Sequence, residues 1–148
     1  MKRLILVTVA IVAIVALAGC SRPETLQVEF MPSPRPNALF SPAVRVGDLL
    51  YLSGQIGTDS ANRLVAGGIQ AEGRQALNNV KATLERYGSS LDRVVKCTVF
   101  LADIKDYDAF NEIYATYFRA RKPARSAMAA SGLALNARVE IECIGVTA

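Results

Sequence analysis

"QALNNVKATLERYGSSLDRVVKCTVFLAD", residues 75–103, changes its hydrophobic period half-way along, and that change decides the fold class. In its first half Ala76, Leu77, Val80, Leu84 and Tyr87 recur at spacings of three and four, while Arg74, Asn78, Lys81 and Glu85 occupy another face. The spacing predicts an amphipathic helix over 69–87, stopped by Gly88. The second half, "VVKCTVFLA" at 94–102, is rich in β-branched residues and predicts a strand. A helix with one apolar face followed by a strand implies a sheet for that face to cover.

Toward the C-terminus, a second helix is expected from a cap at Asp103 or Asp106. It carries Tyr107, Phe110, Tyr114 and Tyr117 at spacings of three, four and three. Helical spacing puts this aromatic stripe on the buried side rather than making it a base-stacking platform. Pro123 stops the helix, and two strands follow, "ARSAMAA" at 124–130 and "RVEIECIGV" at 138–146. Toward the N-terminus, "AVRV" at 43–46, Gly47-Asp48 and "LLYLS" at 49–53 predict a hairpin with a type II′ turn, and Ser53-Gly54-Gln55 follows as the strand gives out. "MPSPRPN" reads as a loop and "LQVEF" at 26–30 as a first strand. The order is β, ββ, α, β, α, ββ: an α+β fold with a single mixed β-sheet covered on one face by two α-helices. No internal repeat competes with it.

The first residues carry an address. Lys2 and Arg3 precede an apolar run, Leu4 to Ala18, broken only by Thr8, which is the plan of an export signal. The run is short for a membrane span, which wants about 20 apolar residues. Its ending, "LAGC" at 17–20, resembles the lipobox of bacterial lipoproteins. That resemblance implies cleavage before Cys20 and acylation of Cys20, with residues 1–19 as signal peptide, 20–25 as a lipid-attached tether and 26–148 as the delivered domain. Several acyl chains at about 0.8 kcal/mol per buried CH₂ make a stable anchor where one does not. Ser21 after the cysteine implies the outer membrane in a two-membrane cell, with the domain on the periplasmic side. An uncleaved anchor and an ordinary secreted protein are the alternatives.

Composition narrows the chemistry. The 17 basic and 13 acidic residues become 15 and 13 once Lys2 and Arg3 are set aside, too small a balance for non-specific nucleic-acid binding. "RARKPAR" at 119–125 reads mainly as a cationic helix end. The chain has no histidine, which excludes serine–histidine and cysteine–histidine nucleophile systems and the commonest metal ligand. Cys97 and Cys143 fall on the core faces of two strands, Cys97 with Val95 and Val99, Cys143 with Val139 and Ile141. They are expected to be free buried thiols.

The last two strands hold the oddity. Alternation in "PARSAMAAS" sets Arg125 on one face with Ala127 and Ala129, a large cation among small neighbours. In "RVEIECIGV" it sets Glu140 and Glu142 away from the core. If these strands pair, arginine and carboxylate come within reach across the sheet. The guanidinium fork suits a carboxylate substrate, and a half-buried glutamate can move protons near neutral pH. An ordinary ion pair is the competing reading.

"AVRVGDLLYLSGQIG" at 43–57, the stretch at 75–103, "FNEIYATYF" at 110–118, "PARSAM" at 123–128 and "VEIECIGV" at 139–146 together resemble the RidA/YjgF family. The resemblance implies a homotrimer with sites in clefts between subunits, no cofactor and no metal. It also implies hydrolytic deamination of 2-imino and enamino acids of the 2-aminoacrylate type to 2-oxo acids and ammonia. It makes Arg125 the substrate-carboxylate arginine and Glu140 the residue that orients the attacking water. Ser53, Gly54, Asn111 and the aromatic position at Phe40 become the rest of the substrate pocket. Phe40 stands where the family usually has tyrosine, and Ala127 where it often has cysteine. These departures motivate an alternative: a non-catalytic module that binds small 2-oxo acids at the cell envelope.

Overall fold

The structure is a computed structural model that describes residues 25–147. The expected signal peptide, Cys20 and all of the tether except Thr25 lie outside the described residues. Seven strands and two helices run in the order β1 (Val28–Phe30), β2 (Ala43–Val46), β3 (Leu49–Leu52), β4 (Gln55–Ile56), α1 (Gly68–Arg86), β5 (Val94–Leu101), α2 (Tyr107–Tyr117), β6 (Ala124–Ala129) and β7 (Val139–Val146). They form one sheet in the spatial order β1-β2-β3-β7-β5-β6, with β4 also on β7. The expected fold class is therefore the observed one.

The local expectations hold for physical reasons. The β2–β3 hairpin closes through Gly47, at φ +56°, with Val46 opposite Leu49. Helix α1 ends in a Schellman arrangement: Ser89 N–H donates to the Leu84 carbonyl at 2.8 Å and Gly88 N–H to that of Glu85 at 3.4 Å. Gly88 sits at φ +85°, where a side chain would be strained. The buried face of α1 is Ile69, Ala76, Leu77, Val80 and Leu84, packed on strands that contribute Leu50, Val99, Leu101, Val139 and Ile141. Phe110, Ile113 and Tyr114 extend this core from α2.

Four expectations are corrected, and the strand pairing left conditional above is decided. The first strand starts at Val28 rather than Leu26, and Gln55–Ile56 do not end a strand but form β4 against Ile141 and Glu140. A β-bulge between Val94 and Lys96 reverses the alternation in β5, so Val95 is exposed and Val94 faces the core with Cys97. The strands that carry Arg125 and Glu140 do not pair. β5 lies between them, parallel to β6 and antiparallel to β7. Finally, Cys97 and Cys143 are directly opposite in the β5–β7 ladder with Cα atoms 4.1 Å apart, and they form a disulfide instead of two free thiols. Side-by-side placement on neighbouring strands, which spacing in the chain does not reveal, makes that bond reachable.

The helices cover one face of the sheet. The other face carries Val28, Phe30, Val44, Leu49, Tyr51, Phe100, Met128 and Ile144, with Phe30 69% and Met128 48% exposed. An apolar sheet face of this extent marks an association surface.

The disulfide joins residues 46 positions apart. The chain-entropy cost of closing a loop of that length is about 4 kcal/mol, so reduction is expected to lower the unfolding free energy by roughly 2–4 kcal/mol. Denaturant curves with and without reductant measure the loss, and peptide mapping of unreduced protein recovers Cys97 joined to Cys143.

Candidate active site

Arg125 projects from β6 on the helix-covered face, in register with Cys97. No carboxylate among the described residues pairs with it, which removes the ion-pair reading within one copy of the chain. Its guanidinium carbon lies 4.6 Å from the ring centroid of Tyr114 and 5.6 Å from that of Tyr107. Nη2 donates to the Tyr107 hydroxyl at 3.2 Å. Cation–π contacts of this kind contribute about 0.5–2 kcal/mol, enough to orient the cation without neutralising it. The guanidinium therefore keeps its charge, and the donors turned away from Tyr107 remain available to an anion.

The aromatic stripe of α2 is thus only partly core. Phe110 is buried, but Tyr107 is 37% exposed and Tyr117 reaches across to α1, donating to Asn78 Oδ1 at 2.7 Å. Burial pushes the Tyr114 phenol up to about 12, with Arg125 pulling the other way, so it stays protonated at ordinary pH. Its oxygen and Asn111 Oδ1, one turn earlier on α2, are buried without a hydrogen-bond partner among the described residues. Asn111 lies four residues after Tyr107 and three before Tyr114, on the helical face that carries the two rings beside the arginine.

Glu140 stands on the opposite face of the sheet, opposite Phe100 of β5 and Ile56 of β4. Gly54 lies against it: a Cβ at that position would overlap the Glu140 carboxylate. Ser53 turns its hydroxyl to the Ser41 carbonyl at 2.7 Å, so it ties down the loop that carries Phe40. Phe40 itself is 60% exposed.

The expected residues therefore fall into two groups. Arg125 and Asn111 lie on the helix side, while Gly54 and Glu140 meet on the other, with Ser53 and the Phe40 loop attached to them. Arg125 and Glu140 are two strands and three residues of register apart, so their Cα atoms are about 14 Å from each other by strand spacing and rise. They also face opposite ways. One copy of the chain does not bring them to a common point.

Two positioning elements escaped the sequence. Asp106, buried at the start of α2, takes a forked bond from Arg138, Nε to Oδ2 at 2.9 Å and Nη2 to Oδ1 at 2.8 Å. The Arg138 backbone N–H donates to buried Glu72 of α1 at 2.8 Å. This clamp fixes the helix start that carries Tyr107 and the strand start that carries Glu140. Asn79 of α1 donates to the Ile56 and Thr58 carbonyls, each at 3.0 Å, and so holds β4 beside Glu140. The sequence signal was weak: an acid and an amide on an otherwise apolar helix flank.

Comparison with known proteins adds a lineage. The profile of the family described as Endoribonuclease L-PSP matches residues 31–147. The chain belongs to this family, RidA/YjgF. Among relatives, it is 46% identical over 112 residues to Protein HMF1 of Saccharomyces cerevisiae, covering 76% of this chain and 87% of that one. It is 44% identical over 108 residues to the human 2-iminobutanoate/2-iminopropanoate deaminase, covering 72% and 79%. Among solved structures, yeast Mmf1 superposes with a TM-score of 0.78 at 38% identity, covering 82% of this chain and 100% of that one. RidA from an Antarctic Psychrobacter superposes at 0.71 and 35%, covering 84% and 99%. The family's fold is the one described above.

Gly54→Ala is expected to leave folding intact and push the Glu140 carboxylate from its place. A displacement near 1 Å costs about 100-fold in a reaction that depends on such a group. A crystal structure of the variant checks the displacement, and its melting temperature checks the fold.

Proposed function

We propose that this protein is a cofactor-independent deaminase that hydrolyses 2-imino acids to 2-oxo acids and ammonia. The observation that carries the reading is Arg125: an un-neutralised guanidinium held by two tyrosines, in a chain whose relatives include named 2-iminobutanoate/2-iminopropanoate deaminases. The family's other name, an endoribonuclease, finds less support in a histidine-free chain whose basic residues barely exceed its acidic ones.

The active form is a homotrimer, in which the Arg125 side of one copy meets the Glu140 side of the next. Two features support it: the separation of these residues within one copy, and the uncovered apolar sheet face. Arg125 binds the substrate carboxylate by paired N–H bonds and fixes the imine carbon. Glu140 takes a proton from water as its oxygen bonds to that carbon, and the C=N electron pair moves to nitrogen, which is protonated. The proton that reaches nitrogen in this step is the one Glu140 took from water; Glu140 then takes the hydroxyl proton of the resulting carbinolamine and hands it to nitrogen as the C–N bond breaks and ammonia leaves. One water is consumed, and one 2-oxo acid and one ammonia are formed. No nucleophilic side chain or metal is required. Phe40 and Ala127 shape the pocket without hydroxyl or thiol.

The test generates imines with an amino-acid oxidase and traps them with semicarbazide. Wild type is expected to suppress semicarbazone formation; Arg125→Ala and Glu140→Gln each lose at least about 100-fold in kcat/KM, the usual scale for removing a charged clamp or a general base. Inert wild type that still binds a 2-oxo acid would favour the alternative, a carboxylate-binding module without turnover.

The protein also acts outside the cytoplasm, lipid-anchored through Cys20 on the periplasmic face of the envelope, where it clears imines that oxidases or dehydrogenases release. The lipobox-like "LAGC" supports this, and so does the Cys97–Cys143 disulfide, since such bonds persist in oxidising compartments. Labelled palmitate is expected to enter the protein in a bacterial host and to be lost in Cys20→Ser. Equal labelling of both would refute the anchor.

A further inference from the structure

Arg125 is a fork that turns about the end of a flexible side chain. Tyr114 supports its face at 4.6 Å, but a π face leaves rotation within the guanidinium plane free. Among the described residues, the one side-chain hydrogen bond that stops this rotation comes from Nη2 to the Tyr107 hydroxyl, at 3.2 Å. Arginine has donors only, so the phenol oxygen must accept. Tyr107 is in turn well placed to resist displacement: it is the first residue of α2, next to Asp106, which is forked to Arg138. The hydroxyl therefore occupies one Nη2 N–H and leaves a chosen edge of the fork for an anion.

We propose that Tyr107 is a positioning residue, whose hydroxyl sets which edge of the Arg125 guanidinium meets the substrate carboxylate. This rests on the deaminase reading above. The binding it improves is that of the carboxylate, common to substrate, transition state and product. The remaining Arg125 donors still hold the bound substrate and its imine carbon, so the effect falls on KM and on product affinity and kcat changes little.

The substitution Tyr107→Phe keeps the ring and removes only the oxygen. Full-length protein in detergent is compared as wild type, Tyr107→Phe, Arg125→Ala and the double variant. Imine hydrolysis is followed by the semicarbazide trap and 2-oxobutanoate binding by calorimetry. Expected for Tyr107→Phe is a rise of about tenfold in both KM and the 2-oxobutanoate Kd, the scale of one hydrogen bond to a charged group. Its kcat stays within about twofold of wild type, and the melting temperature is unchanged. In the Arg125→Ala background Tyr107→Phe adds nothing, because the hydroxyl acts through the arginine. A wild type that binds 2-oxobutanoate, with Tyr107→Phe equal to it, overturns this proposal alone. So does an equal loss in the Arg125→Ala background. A wild type that neither turns over imines nor binds the 2-oxo acid overturns the deaminase reading and this proposal with it.

Discussion

Alternation along the β5–β7 ladder governs the rest of the structure. Successive residues of a strand point to opposite faces, so Val139, Ile141 and Cys143 enter the core under the helices while Glu140 and Glu142 face away. The same rule, carried across β5 to β6, sends Arg125 to the helix side with Cys97. A register slip by one residue would bury both glutamates and expel the core. The two groups of the candidate site are thus separated by the same geometry that makes the core, and a second copy of the chain is the natural way to reunite them.

Charge is handled differently in the two halves of the molecule. Arg138 is neutralised: its fork closes on Asp106, whose side chain is 12% exposed, and hydrogen-bonded pairing offsets the desolvation of that carboxylate. Arg125 is held instead by aromatic rings, which orient a cation without cancelling its field. An arginine paired with a carboxylate and an arginine held by aromatic rings therefore sit on neighbouring parts of one domain and are told apart by their partners, not by their burial. The disulfide adds a third kind of restraint, tying β5 to β7 through Cys97, the residue in register with Arg125.

Much of the fold was legible because its signals are local. The helix at 69–87, the Gly88 stop, the hairpin at Gly47-Asp48 and the strand at 94–102 each depend on a few neighbouring residues, and each is found within one or two positions. Arg125 was legible as an anomaly, a large cation alternating with alanines. Errors arose where distant segments meet. β4 is two residues long and exists only because β7 is beside it. The bulge at Val95 is set by the partner strand. Tyr107 shares the helical spacing of Phe110 and Tyr114 and differs only in what lies above it.

The sequence by itself determined the helices, the hairpin, the core faces and the unusual placement of Arg125 and Glu140, since periodicity and turn chemistry act within a few residues. Tertiary structure alone decided that β5 separates the two strands, that Cys97 meets Cys143, that Gly54 makes room for Glu140 and that Tyr107 and Tyr114 hold the arginine. Those are facts of strand order and of which surfaces touch, and no local pattern encodes them. The free energy that selects them comes from burying the whole apolar set at once.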